Sequence, residues 1–90
     1  MEHREHDERY QYALRVQQLY QDRLMQLPHV IGVGVGYAHE DGRETDEIAL
    51  IVMVDEKVDE DELDEDEIIP SRIMGVRVEV QEMGGSFSAF

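Results

Sequence analysis

Residues 30–37 read VIGVGVGY, with glycine at every second position: Gly32, Gly34 and Gly36. Successive side chains of a strand point to opposite faces, so this spelling gives a ribbon with one apolar face and one face bare of side chains. A dinucleotide fingerprint needs G-x-G-x-x-G where a strand turns into a helix; here the spacing is G-x-G-x-G and the strand continues. The stretch is therefore read as a true strand, with Ile31, Val33 and Val35 turned to the core. Its glycine side is expected to admit a close neighbour, either a helix or a second copy of the chain. A phosphorylated ligand lying against the bare face is the minor alternative, with Arg43, Arg72 and Arg77 (and Lys57) as the bases available to it.

Working outward, residues 5–27 contain no Gly or Pro and are rich in Gln, Arg, Leu and Glu, which favours a helix. Tyr10, Ala13, Leu14, Val16, Tyr20, Leu24 and Leu27 fall on one side of the wheel, although Gln17 and Gln21 interrupt that stripe. Pro28 ends it. After the glycine strand, Asp41-Gly42 marks a turn. Residues 47–55 form a second strand with Ile48, Leu50, Val52 and Val54 on one face and Ala49, Ile51 and Met53 on the other. Being apolar on both faces, it belongs in the middle of a sheet. An acidic segment follows, a turn or short helix pinned at Val58, Leu63 and Ile68 and stopped before Pro70. Residues 73–83 form a third strand, with Val76, Val78 and Val80 opposed by Arg77, Glu79 and Gln81. The fold class is thus α+β: a long N-terminal amphipathic helix packed on a small antiparallel sheet, in the order α-β-β-acidic turn or short helix-β. Residues 1–83 form one domain, and residues 84–90, with Gly84-Gly85 ahead of Phe87 and Phe90, form a flexible C-terminal tail.

One helix covers one face of such a sheet, and a chain of 90 residues is near the lower limit for a self-sufficient core. A second copy burying the other face resolves both points, so a homo-oligomer is expected. Gly32, Gly34, Gly36, Ile51 and Met53, with Phe87 and Phe90 from the tail, are the candidate interface residues.

In its order and spacing, the chain also resembles something familiar. The string Val30-Ile31-Gly32-Val33-Gly34-Val35-Gly36 is followed by Ile51-Val52-Met53-Val54, Lys57-Val58, Leu63, Ile69-Pro70 and Gly75-Val76-Arg77-Val78. This resembles the small N-terminal domain that precedes trypsin-like serine peptidase domains in some bacterial proteins and in the plant narrow-leaf group. The resemblance covers roughly the last two-thirds of the chain and leaves out the Tyr- and Gln-rich helix. It implies a stand-alone accessory module and carries no catalytic residue onto any position, since the peptidase domain has no counterpart in these residues.

Charge narrows the possible partners. The formal net charge is −14, from 22 acids against 8 Lys and Arg, which argues against nucleic-acid binding and against anionic membranes. The acidity is local: ten of the thirteen residues 55–67 are Asp or Glu. Asp59, Glu60, Asp61, Glu62, Asp64 and Glu65 form an acidic patch, read first as a solvated turn and second as a mimic of nucleic-acid phosphates aimed at a basic protein surface. A calcium loop of the EF-hand type would need a central glycine, which this segment lacks. His3 and His6, with Asp7, could edge a metal site, but they lie in a first turn prone to fraying, and no metal or cofactor is assigned. His29 and His39 read as ordinary loop residues.

Cysteine is absent, which removes disulfides and thiol chemistry and suits a reducing compartment. The opening residues MEHREHDER have no apolar core of a signal peptide, and the longest apolar run is too short to span a bilayer, so a cytoplasmic protein is expected. Ser71, Ser86 and Ser88 are the only serines, and none has a triad pattern around it. The leading expectation is a non-enzymatic homo-oligomeric binding or interaction module. The alternatives are an acidic decoy that blocks a basic site on a partner protein, and a sequestering protein holding a small phosphorylated ligand between subunits.

Overall fold

A computed structural model describes the backbone of residues 4–83 and the side chains of residues 8–83. Helix α1 spans Arg4–Met25; the strands are β1, Val30–Glu40, β2, Arg43–Val54, β3, Arg72–Ile73, and β4, Val76–Glu82. Two short 3₁₀ turns, Glu60–Glu62 and Glu65–Glu67, interrupt the acidic segment. The four strands form one sheet in the order β1-β2-β4-β3. The α+β class and the order of elements are as expected, and β2 is central.

The sheet is mixed rather than wholly antiparallel. β1 and β2 pair antiparallel and β3 and β4 pair antiparallel, but β2 and β4 run parallel, Leu50 facing Val78 and Val52 facing Val80. A parallel pair needs a crossover long enough to return the chain to its starting edge, and the acidic segment supplies it. The expected third strand is also two strands. Met74 and Gly75, at φ 50° and 83°, turn the chain between Ile73 and Val76, as a two-residue hairpin with both central residues left-handed requires. Asp41-Gly42 builds the same kind of turn between β1 and β2, at φ 52° and 78°.

The core lies on one face of the sheet. Ala13, Val16 and Leu24 of α1 pack with Leu50, Val52, Val54, Val76 and Val78, and Val33, Val35 and Val80 close against them. Leu50, Val52 and Ala13 are fully buried. Tyr12 Oη donates to the Met74 carbonyl at 2.7 Å, fixing one flank of the helix to the β3–β4 turn. The crossover closes the far end of the same face, with Val58, Leu63, Ile68 and Ile69 half-buried beside Val54 and Val80. Its second turn carries a capping box, in which Asp64 N donates to Glu67 Oε1 at 3.0 Å and the Asp64 side chain accepts from the Glu67 backbone. His29, in the left-handed region at φ 70°, anchors the start of β1: its carbonyl accepts from Asp55 N at 3.0 Å, and its ring meets the Asp55 carboxylate at 2.9 Å.

Ile31 departs from expectation. Val30 faces Val54 and Gly32 faces Met53, so Ile31 is the extra residue of a β-bulge. The bulge keeps Val30 in the core and turns Ile31 out, where it is 45 % exposed. Among the described residues no helix is long and apolar enough to cross a membrane.

Candidate functional site

The second face of the sheet carries the candidate residues. Gly32, Gly34 and Gly36 pair in register with Met53, Ile51 and Ala49, which pair in turn with Gln81, Glu79 and Arg77 of β4. All nine residues therefore share one face, opposite the core. The atoms nearest a Cβ placed at any of the three belong to Met53 and Ile51 of β2, and none to a described helix or crossover residue. A Cβ added at Gly32 would meet Met53 Cε at 3.0 Å, at Gly34 the same methyl at 3.9 Å, and at Gly36 Ile51 Cγ1 at 3.5 Å. Met53 takes the space at Gly32 and Ile51 comes against Gly36, both reaching across from β2, while Gly34 keeps room above it. Within the chain, the nearest neighbours of Gly32 and Gly36 are the adjacent strand's own side chains. The outcome is a low apolar plateau of half-buried Ile51 and Met53 on a glycine bed.

Beside the plateau the same face is polar and internally matched. Arg77 Nη1 donates to Glu40 Oε2 and to Glu47 Oε1, both at 3.1 Å. Arg72 Nη1 donates to the Gly75 carbonyl at 3.1 Å, and Arg72 Nη2 lies 3.5 Å from Glu47 Oε2. Glu79 accepts from His39 N at 2.6 Å and from Gln81 Nε2 at 2.8 Å, and its second oxygen lies 3.1 Å from His39 Nδ1. Arg77 and Glu79 thus reach from β4 across β2 to β1. They do so above small residues: Ala49, flanked by Gly36 and Arg77, is fully buried although it lies outside the core cluster. Burial alone would raise the Glu79 carboxyl, but the donors from Gln81 and His39 outweigh it and hold it below the ordinary value. Arg77, donating to two carboxylates, is held above its ordinary value.

The remaining sequence candidates are dispersed. Arg43 follows the β1–β2 turn, at the opposite end of β2 from the acidic crossover, while Arg72 and Arg77 face each other across β3 and β4 with Glu47 and Glu40 as partners. Asp59, Glu60, Asp61, Glu62, Asp64 and Glu65 are exposed on the crossover, Asp59 and Glu60 beside Val54 and Val80 of the core face. Phe87 and Phe90 lie outside the described residues, as does His3.

Two features went unread in the sequence. The alternation puts Glu79 on the polar face of a half-exposed strand, but its bond to His39 depends on strand order. Gln17, which spoiled the helical stripe, donates to the Val33 carbonyl at 2.9 Å and so serves β1 directly. A polar residue recurring at core-side spacing was the available signal. No protein-family profile, curated protein or solved structure matches the chain, and the likeness to a peptidase-preceding domain rests on the residues quoted for it.

Proposed function

We propose that the chain is a non-enzymatic interaction module that assembles with copies of itself through the open sheet face. The observation that carries this reading is the plateau of Ile51 and Met53, laid over Gly32, Gly34 and Gly36, on a face that no described helix covers. Charge supports a second copy as the occupant. The acids responsible for the net charge of −14 concentrate on the crossover, whereas on this face Arg72 and Arg77 stand against Glu40, Glu47 and Glu79. Two copies meeting here bring apolar side chains and nearly balanced charge together, and keep their acidic crossovers apart. A chain without cysteine is compatible with the reducing cytoplasm, which we take as its setting.

Light scattering and native mass spectrometry of the purified protein at micromolar concentration test the reading. More than one copy is expected, and Met53→Glu, a half-exposed position, should reduce the copy number while leaving the circular dichroism spectrum unchanged. A wild-type protein that stays monomeric overturns the reading.

A further inference from the structure

We infer a second self-contact, resting on that same reading of self-assembly: two copies join along the free edge of β1, strand against strand, with the uncharged flank of α1 packed beside it. The sheet order leaves β1 at one edge and β3 at the other. β3 is only two residues long, Arg72 and Ile73, and the stretch of β4 beyond it carries Glu79 and Glu82, so that side is a short and charged edge of the kind that discourages pairing. β1 is eleven residues long, and residues 30–38, VIGVGVGYA, contain no charge and no proline. A long apolar edge free of charge and proline is a template for another strand, and the bulge at Ile31 guards only the start of β1, leaving residues 32–37 in regular register.

The helix beside this edge shows the same absence of charge. Tyr10, Leu14, Gln17, Gln21 and Met25 are spaced by three or four residues and form one stripe of α1. Gln17 places that stripe at the β1 edge through its bond to the Val33 carbonyl, while Tyr12, on the other flank, bonds Met74 of the β3–β4 turn. From Tyr10 to Met25 the stripe is neutral in a chain of which 33% is charged, the acid at its spacing being Asp7 one turn earlier, and Tyr10 and Met25 are 41% and 40% exposed. Arg9, Arg15, Asp22 and Arg23 all fall outside it.

A second copy is the occupant because both halves of the surface are self-complementary. An antiparallel β1–β1 pair across a two-fold axis matches main-chain donors with acceptors, and it sets the two neutral helix stripes side by side. Gln17 occupies one lone pair of the Val33 carbonyl and leaves the other for the partner strand. The joined sheet has eight strands, and the two glycine plateaus become neighbours on its open face.

The test compares wild type with a Gln21→Glu, Met25→Glu variant, both changes at exposed positions, by light scattering and by amide hydrogen exchange. The wild type should be larger than a monomer and protect every amide of residues 32–36, beyond the bulge. In the variant, mass should fall and alternate β1 amides should exchange roughly 100-fold or more faster, as expected for an unpaired edge. An assembled wild type whose alternate β1 amides exchange fast overturns the edge contact and leaves the reading of self-assembly standing, and so does a variant of unchanged mass. A monomeric wild type overturns both.

Discussion

Gly34 separates folding from assembly better than any other residue of the plateau. An added Cβ there has only the Met53 methyl near it, at 3.9 Å, so the folded monomer has room for a larger side chain. A valine also favours the strand and restricts the unfolded chain. Gly34→Val is therefore expected to leave the melting temperature of the fold unchanged or higher. The bulk it adds to the open face should overpack the contact between copies by about 1–3 kcal/mol, read as a roughly 10- to 100-fold weaker self-association in dilution experiments. Loss of the fold itself would show that the glycines serve the monomer. Met74 is the opposite case, a residue that suits its place poorly. It sits at φ 50° although it is not glycine, and its side chain is 51% exposed, so little packing depends on it. Asparagine tolerates the left-handed region, and the Tyr12 hydroxyl bonds the Met74 main chain, which the change preserves. Met74→Asn should stabilise the protein by about 1 kcal/mol, a rise in melting temperature of roughly 4–8 °C by calorimetry.

The strands are tied across their tops by Glu79, and this tie depends on pH in a defined direction. Its carboxyl is held below its ordinary value of 4.5, so the folded state favours the ionised form. The resulting stability is fully present above the ordinary value and is lost as pH falls through the lowered one. Glu79→Gln should accordingly be destabilised near neutrality, and the gap in melting temperature from wild type should narrow as pH falls from about 6 to about 3. A gap that widens with acid would mean the His39–Glu79 pair is not formed.

How far such elements were legible depended on whether their cause was local. The central place of β2 could be read because Ala49, Ile51 and Met53 leave it apolar on its second face as well. The Asp41-Gly42 turn could be read from its own two residues. The Met74-Gly75 turn could not, since methionine is no turn residue and Ile73 and Val76 continue an apolar run through it. The bulge at Ile31 has no signature either, because the alternation of VIGVGVGY passes through it unbroken and only the partner strand reveals the extra residue. Parallel pairing of β2 with β4 was hidden for the same reason: the length of the crossover permits it, but only the return path of residues 55–71 decides it.

For the whole molecule the governing quantity is the net charge of −14, carried by a chain whose two candidate contacts are nearly neutral. Like charges on the crossover repel within one copy and between copies, and this repulsion acts through solvent because those acids are exposed. Salt shortens its range, from roughly 30 Å at 0.01 M to roughly 8 Å at 0.15 M. The hydrophobic contacts of the plateau and the backbone pairing at β1 gain no comparable repulsion to lose. Added salt should therefore both raise the melting temperature and favour assembly, the reverse of a protein held together by ion pairs between copies. Replacing Asp59, Glu60, Asp61 and Glu62 by Asn and Gln should reproduce part of that gain at low salt and flatten the salt dependence. These four side chains are exposed, and the capping box lies beyond them at Asp64 and Glu67, so the crossover keeps its shape. The check is a melting and light-scattering series over that salt range for both proteins. Assembly that weakens as salt is added would show instead that opposite charges join the copies, with Arg72 and Arg77 facing a neighbour's acids rather than their own Glu40 and Glu47.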